Sequence, residues 1–211
     1  MAAGDIALRP AEALAGGASL ERGLVEECRR GDAQAFARLV ALHEGMVFNL
    51  AARLLGDAEE ARDLAQEVFL QVYRTLGRFE GRSTLKTWIY RIVVNQCRNR
   101  RRWWRRRRKD RSRSLETLTR SEEERLAEGS GRMEGPDERV ERRERARAVQ
   151  SALQRLSFGH RAVLLLREVE GLSCEEIAAA LALPEGTVKS RLSRARESLR
   201  RALTDGKEAA P

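Results

Sequence analysis

Residues Gly171–Leu203, GLSCEEIAAALALPEGTVKSRLSRARESLRRAL, constrain the fold more than any other stretch of the chain. Ser173 followed by Glu176 makes a capping-box pattern, in which each side chain meets a backbone N–H that a helix start leaves free. The run Cys174 to Leu181 then predicts a short helix burying Ile177, Ala178 and Leu181. Leu183-Pro184-Glu185-Gly186 interrupts it, and Pro184 suits the first turn of a second helix, where a missing N–H costs nothing. In that helix Val188, Leu192, Ala195, Leu199 and Leu203 recur at helical spacing and form one apolar stripe. The opposite face carries Lys189, Ser190, Arg191, Ser193, Arg194 and Arg196. Two short helices, the second basic and hydroxyl-bearing, fit a helix-turn-helix whose recognition helix enters the DNA major groove. A plain helical hairpin with a solvated charged face fits the same pattern.

Charge separates these readings only in part. The chain has 211 residues, a net charge of +9 and 35% charged residues against 5% aromatic. A core built from such a composition is aliphatic and modest, as in small helical units, and the charge points to a polyanionic partner. The excess is local: Arg98 to Arg113 holds eleven Lys or Arg against Asp110 alone, which leaves −1 for everything else. Cys28, Cys97 and Cys174 lie far apart with no CxxC spacing, and His43 and His160 are the two histidines. That inventory predicts no metal site, no cofactor and no disulfide framework, and it suits a reducing cytoplasm. No segment has the apolar length of a membrane span, so no membrane insertion is expected. Residues 1–19 carry Asp5, Arg9, Pro10 and Glu12 where a signal peptide needs an unbroken apolar run, and they read as a disordered leader.

Helical periodicity begins near Leu20. Gly31 reads as a helix stop and Asp32 as the cap of the next helix, which buries Phe36, Leu39, Val40, His43, Met46, Val47 and Leu50 before Gly56-Asp57 closes it. A third helix is predicted over Ala58 to Leu76, with Ala61, Leu64, Ala65, Val68, Val72 and Leu76 inside. Its outer face carries Glu59, Asp63 and Glu67 with Gln66 beside them. Like charges at that spacing weaken an isolated helix by a few tenths of a kcal/mol per pair. The face is either simply solvated or docks on a basic partner. After the loop Gly77 to Ser83, aromatics (Phe79, Trp88, Tyr90) alternate with bases (Arg82, Lys86, Arg91, Arg98), the material from which single-strand stacking platforms are made. Core packing of Trp88 or Tyr90 is the bland alternative. Arg100 to Arg108, with Trp103 and Trp104, extends this helix as a basic tail suited to phosphate contacts.

From Lys109 to about Asp137 the apolar pattern fades into a tether, and helicity returns at Glu138 with Val140, Val149, Leu153 and Leu156. The expectation is an all-α chain. It has a helical unit over 20–104, a basic flexible linker over 105–137, a helix-turn-helix unit over 138–205 and a disordered tail over 206–211.

The motif Asp57-Ala-Glu-Glu-Ala-Arg-Asp63-Leu-Ala-Gln66-Glu67-Val-Phe69, with Phe79-Glu-Gly81-Arg82-Ser83-Thr-Leu-Lys-Thr87-Trp88-Ile-Tyr90-Arg91, resembles region 2 of bacterial sigma factors. Glu168-Val-Glu-Gly171-Leu-Ser173 and Pro184-Glu-Gly186-Thr187-Val188-Lys189-Ser190-Arg191 resemble their region 4. Two such motifs in this order, with only a tether between them, resemble the extracytoplasmic-function (ECF) sigma factors. The resemblance implies that Asp63, Gln66 and Glu67 dock on core RNA polymerase. It implies that Phe79, Arg82, Ser83, Lys86, Trp88, Arg91 and Asn95 recognise and melt the −10 element. It assigns Ser173, Thr187, Lys189, Ser190, Arg191, Ser193 and Arg194 to the −35 duplex, and it implies control by an anti-sigma factor in the cytoplasm. Leu156-Ser157-Phe158 stands where the family carries Leu-Pro, so that turn is expected to be built differently.

An autonomous helix-turn-helix regulator is the competing reading, and it leaves the Asp63 to Asn95 constellation without a use. An enzyme is excluded on inventory: there is no Ser/Cys–His arrangement and no phosphate-cradling glycine loop. No small-molecule substrate is expected.

Overall fold

The computed structural model describes residues 21–110 and 136–208. The leader, the tail beyond 208 and the tether from 111 to 135 lie outside the described residues. Every regular element among the described residues is helical. Helix α1 spans residues 21–29. It is followed by α2 (Ala33–Leu55), α3 (Ala58–Thr75), a 3-10 turn (Leu76–Arg78) and α4 (Leu85–Asp110). The second half comprises α5 (Pro136–Arg155), α6 (Phe158–Glu168), α7 (Cys174–Leu181) and α8 (Glu185–Glu208). The boundaries drawn at 104 and 205 therefore fall inside α4 and α8: helix continues through residues first assigned to the linker and the tail.

Short polar residues set the helix starts. Asp32 accepts from the Gln34 and Ala35 N–H groups at 2.8 and 3.2 Å, and Asp57 from Glu60 at 3.0 Å. Thr84 Oγ1 receives the Thr87 N–H at 3.1 Å at the start of α4. Gly56 ends α2 in the left-handed region at φ +80°, where an added Cβ would also lie 2.6 Å from Gln154 Nε2. The turn at Leu156-Ser157-Phe158 is built without proline: Ser157 Oγ accepts from the His160 N–H and starts α6.

Helices α2, α3 and α4 pack on one another through Leu39, Leu50, Leu54, Leu64, Val68, Val72, Ile89 and Val93, all shielded from solvent. His43 and Tyr90 join this core, whereas Phe36, Val40 and Met46 are only half-buried. In the second half α5, α6 and α7 pack on α8, around Leu165, Leu166, Ile177, Val188, Leu192 and Ala195. Each of these Leu, Ile and Val side chains contributes about 1.5–3 kcal/mol by leaving water. Val149 does not enter this core and remains exposed.

The two halves are packed together rather than held apart. Helix α7 lies on α4, while α5 and α6 lie against α2, and one apolar cluster runs through both halves. The junction is also polar, and its logic is that of helix ends. The last carbonyls of a helix have no partner within it. Those of α2 are met from the other half: Gln154 Nε2 donates to Arg53 O at 3.1 Å, and Arg161 Nη1 to Leu54 O at 2.6 Å. The same Arg161 donates to Leu153 O and Gln154 O, both at 2.8 Å, at the end of α5. Arg161 is wholly buried and forms no ion pair among the described residues. Burial, then the charge of Arg101, pull it down to about 10, which leaves it charged at neutral pH. Two helix C-termini, each carrying partial negative charge, hold this cation. Nearby, the Tyr90 hydroxyl donates to the Glu170 carboxylate, joining α4 to the end of α6.

Candidate nucleic-acid interface

The predicted site residues fall on three surfaces. The first is the outer face of α3, where Asp63, Gln66 and Glu67 are all exposed. Glu67 is not free: Arg100 of α4 donates to it at 2.7 Å and to Glu60 as well. Leu70 and Tyr73 continue the Asp63–Gln66 row at helical spacing and are 55% and 62% exposed. They make the acidic face part apolar. Sequence reasoning missed both. Their spacing from Asp63 was the available signal.

The second surface joins the loop after α3 to α4. The Phe79 and Trp88 rings stack obliquely with centroids 5.3 Å apart, and both are half-buried. A cleft of about 630 Å³ opens between α1 and residues 79–85, and Phe79, Arg82 and Ser83 line it. Arg82 extends into solvent and pairs with Glu80 at 2.6 Å. Along α4, Arg91, Asn95, Asn99 and Arg102 are exposed and recur at steps of four, four and three, forming one polar stripe that begins beside Trp88. Asn99 was given no role by the sequence, and Arg102 was expected only as one base of the phosphate-contacting tail. Lys86 does not belong to this stripe: its ammonium lies 5.6 Å from the Tyr90 ring, on a different side of the helix. Tyr90 is in the core, so of the pair Trp88 and Tyr90 only Trp88 is available as a platform. Farther along, Trp103 is 44% exposed with the Arg107 guanidinium 4.4 Å from its ring.

The third surface is the helix-turn-helix. The capping box forms as predicted, with Ser173 N donating to Glu176 at 2.8 Å and Glu176 N to Ser173 Oγ at 3.1 Å. Ser173 thereby spends its hydroxyl on structure. Ala182 turns the chain at φ +52°, and Leu183 N closes on Ala178 O at 3.0 Å. Pro184 stands just outside α8 rather than in its first turn, and its carbonyl accepts from Thr187 and Val188. Val188, Leu192 and Ala195 face inward, and Lys189, Ser190, Ser193 and Arg194 face out. Thr187 and Arg191 are half-buried at the edge. Lys189 pairs with Glu185 at 2.7 Å, which raises its pKa. Arg196 ties α8 to α6 through Glu168 at 2.7 Å.

These surfaces hold charge, stacking rings and amide groups, the means of binding and reading a nucleic acid. Among the described residues no three His, Cys, Asp or Glu side chains gather where they would hold a metal ion, and no helix is long and apolar enough to cross a membrane. Cys97 is fully buried and its thiol is pushed up to about 12 by burial, which makes it an inert core residue.

Comparison with known proteins agrees with this arrangement. Residues 39–114 match the family Sigma-70 region 2, and residues 146–199 match the family Sigma-70, region 4. The chain is 39% identical to the RNA polymerase sigma-H factor of Pseudomonas aeruginosa over 87% of its own length and 93% of that protein's. It is 35% identical to the ECF RNA polymerase sigma-E factor of Escherichia coli K12, over 83% and 90% of the two chains. Among solved structures it resembles the sigma factor RpoE of Bartonella quintana in complex with the anti-sigma factor NepR, with TM-score 0.62, 25% identity and coverage of 82% and 98%. It also resembles CnrH in complex with the cytosolic domain of CnrY, with TM-score 0.60, 27% identity and coverage of 87% and 97%.

Proposed function

The chain belongs to the ECF sigma factors, and from that membership we propose that it binds core RNA polymerase in the cytoplasm and directs initiation at promoters whose −10 and −35 elements its two halves read. It performs no reaction of its own. The observation that supports this reading is the presence, in one chain, of an exposed acidic and apolar face on α3, the cleft beside Phe79 and the outward basic face of α8. An autonomous operator-binding protein has a use for α8 alone.

In this reading Asp63, Gln66, Glu67, Leu70 and Tyr73 meet core polymerase. The Trp88–Phe79 pair and the Arg91–Asn95–Asn99–Arg102 stripe take the −10 strand as it opens. Extruding a base costs a few kcal/mol, and the cleft beneath residues 79–85 is large enough to receive one. Asn95 carries both a donor and an acceptor for a base edge. On α8, Ser190, Ser193 and Arg194 face the major groove of the −35 duplex, where arginine discriminates guanine through paired hydrogen bonds.

The two elements lie roughly 25 base pairs apart, about 85 Å along B-DNA at 3.4 Å per pair. A packed body of this size has a radius of gyration on the order of 16 Å. The closed packing is therefore a state of the free protein, and α5–α8 must leave α2 and α4 for both elements to be read together. One fold relative was solved with an anti-sigma factor, and we place the same kind of partner here as the agent that holds the protein inactive.

Run-off transcription with purified core polymerase on fragments that include the gene's own upstream region tests the assignment. Transcripts from defined starts should appear only when the protein is added and should be lost with Trp88→Ala or Asn95→Ala. A footprint from the protein alone, with no new start sites, would mean an autonomous regulator.

A further inference from the structure

Where the basic end of α4 meets the helix-turn-helix, a cleft of about 580 Å³ is lined by Arg98, Arg101, Arg102 and Arg105 on one side and Arg191 on the other. Phe158, Gly159 and the turn after α7 form its floor, and no carboxylate lines it. Elsewhere Arg29, Arg38, Arg82, Arg100, Arg145, Arg196, Arg200 and Arg201 each find a glutamate. None of the five cleft arginines forms an ion pair among the described residues.

Arg101 is the centre of this arrangement. Its guanidinium lies 5.4 Å from the Phe158 ring centroid, with that of Arg98 at 5.9 Å. A ring face attracts a cation but offers no acceptor lone pair. Nη1 of Arg101 is accordingly buried with no hydrogen-bond partner. Leaving such a group unsatisfied is costly, and the proximity of like charges adds to that cost. Burial and then the charge of Arg105 hold Arg101 below the ordinary arginine value, which reports the same unrelieved field. Across the cleft, Gly159 leaves the first turn of α6 open: a Cβ there would stand 3.6 Å from Arg191 Nη1.

We propose that this cleft binds a compact polyphosphate anion, a di- or triphosphate group gripped by arginines from both halves of the protein. Guanidinium groups recognise phosphate through paired, charge-assisted hydrogen bonds, and a cleft of this volume is of small-molecule size. Because its ligands come from α4 on one half and α8 on the other, the bound anion favours the closed packing over the open one. It also occupies Arg191 of the recognition helix. The anion is thus an effector that holds the protein away from DNA. The binding itself is independent of the transcription assignment.

The test is a calorimetric titration of the full chain with sodium tripolyphosphate. One site per chain is expected. Arg101→Gln and Arg191→Gln should each weaken it by about tenfold, the loss of one charge-assisted hydrogen bond. Arg106→Gln with Arg107→Gln, which removes two exposed charges outside the cleft, should leave the affinity within about twofold. Arg191→Gln carries the test if the half-buried Arg101 variant does not fold. An isotherm with no defined stoichiometry, or one weakened most by the Arg106/Arg107 pair, would mean diffuse attraction and would overturn the proposal. A second arm adds a short duplex without promoter sequence. Because the anion occupies Arg191 and favours the closed packing, duplex and tripolyphosphate should compete; a duplex that binds with unchanged affinity in saturating tripolyphosphate would overturn the effector role.

Discussion

At the scale of single residues, Arg161 carries the most structural weight. It is a buried cation whose counter-charge is spread over the carbonyls that end α2 and α5. Arg161→Met keeps the volume and removes the donors, stranding those carbonyls. The expected loss is about 3 kcal/mol of unfolding free energy by urea denaturation, since several acceptors lose partners at once. An unchanged midpoint would show that the carbonyls find water. His43 makes a second, separable case. Burial, then the charge of Lys86, hold its pKa below the ordinary histidine value, and Nε2 has no partner. The unfolded chain therefore binds the proton at higher pH than the folded one. The stability tied to His43 is complete above the unfolded value of about 6.5 and is lost as pH falls through the lower, folded value. Urea midpoints taken at about pH 7.5 and about pH 5.5, either side of the free imidazole pKa, should differ in the wild type and differ less in His43→Leu. Equal pH sensitivity in both would remove His43 from the account.

At the scale of elements, the outer face of α3 yields the sharpest prediction. Leu70 and Tyr73 are exposed, so Leu70→Asp with Tyr73→Ser should leave the melting temperature within a few degrees of wild type. The same pair should weaken binding to core polymerase by at least about tenfold, since buried aromatic and aliphatic anchors dominate protein interfaces. Normal core affinity on a gel-filtration or fluorescence assay would move the docking surface elsewhere. The helices themselves were legible in the sequence because their signals are local. Asp32 and Ser173 cap where they were expected to, Asp57 caps α3 besides closing the turn after α2, and the Val188–Leu192–Ala195 stripe faces inward. The faces were less legible. Lys86 belongs by sequence to the aromatic–basic run, yet helical geometry turns it away from Arg91 and Asn95. Asn99 ends the aromatic–basic run and Arg102 belongs to the basic tail, and only the helix shows that they continue the row of Arg91 and Asn95. Leu70 and Tyr73 were left without a role, because exposure of an apolar side chain is decided by neighbours that a periodicity does not name.

At the scale of the whole molecule, the packing of the two halves was not legible at all. The groups that make it are about a hundred residues apart: Gln154 with Arg53, Arg161 with Leu54, and Tyr90 with Glu170 at a separation of 80. None belongs to a motif, and Arg161 in isolation looks like any surface arginine. Phe158 marks the same boundary. The departure from Leu-Pro at this turn was visible, but its consequence, a ring beneath two α4 arginines, is a tertiary fact. The closed packing also gives the free protein a compact form from which neither promoter element can be read together with the other. The measurement that decides whether these halves work as one promoter-reading body is the distance between dyes placed at exposed Ala37 in α2 and exposed Ala146 in α5. In the free protein, energy transfer should report the short separation of the closed form. On adding core polymerase and promoter DNA, in samples that make transcript, the separation should grow by tens of Å, on the order set by 3.4 Å per base pair between the elements. Transfer that stays high in transcribing complexes would contradict it: the halves would then read DNA while still packed.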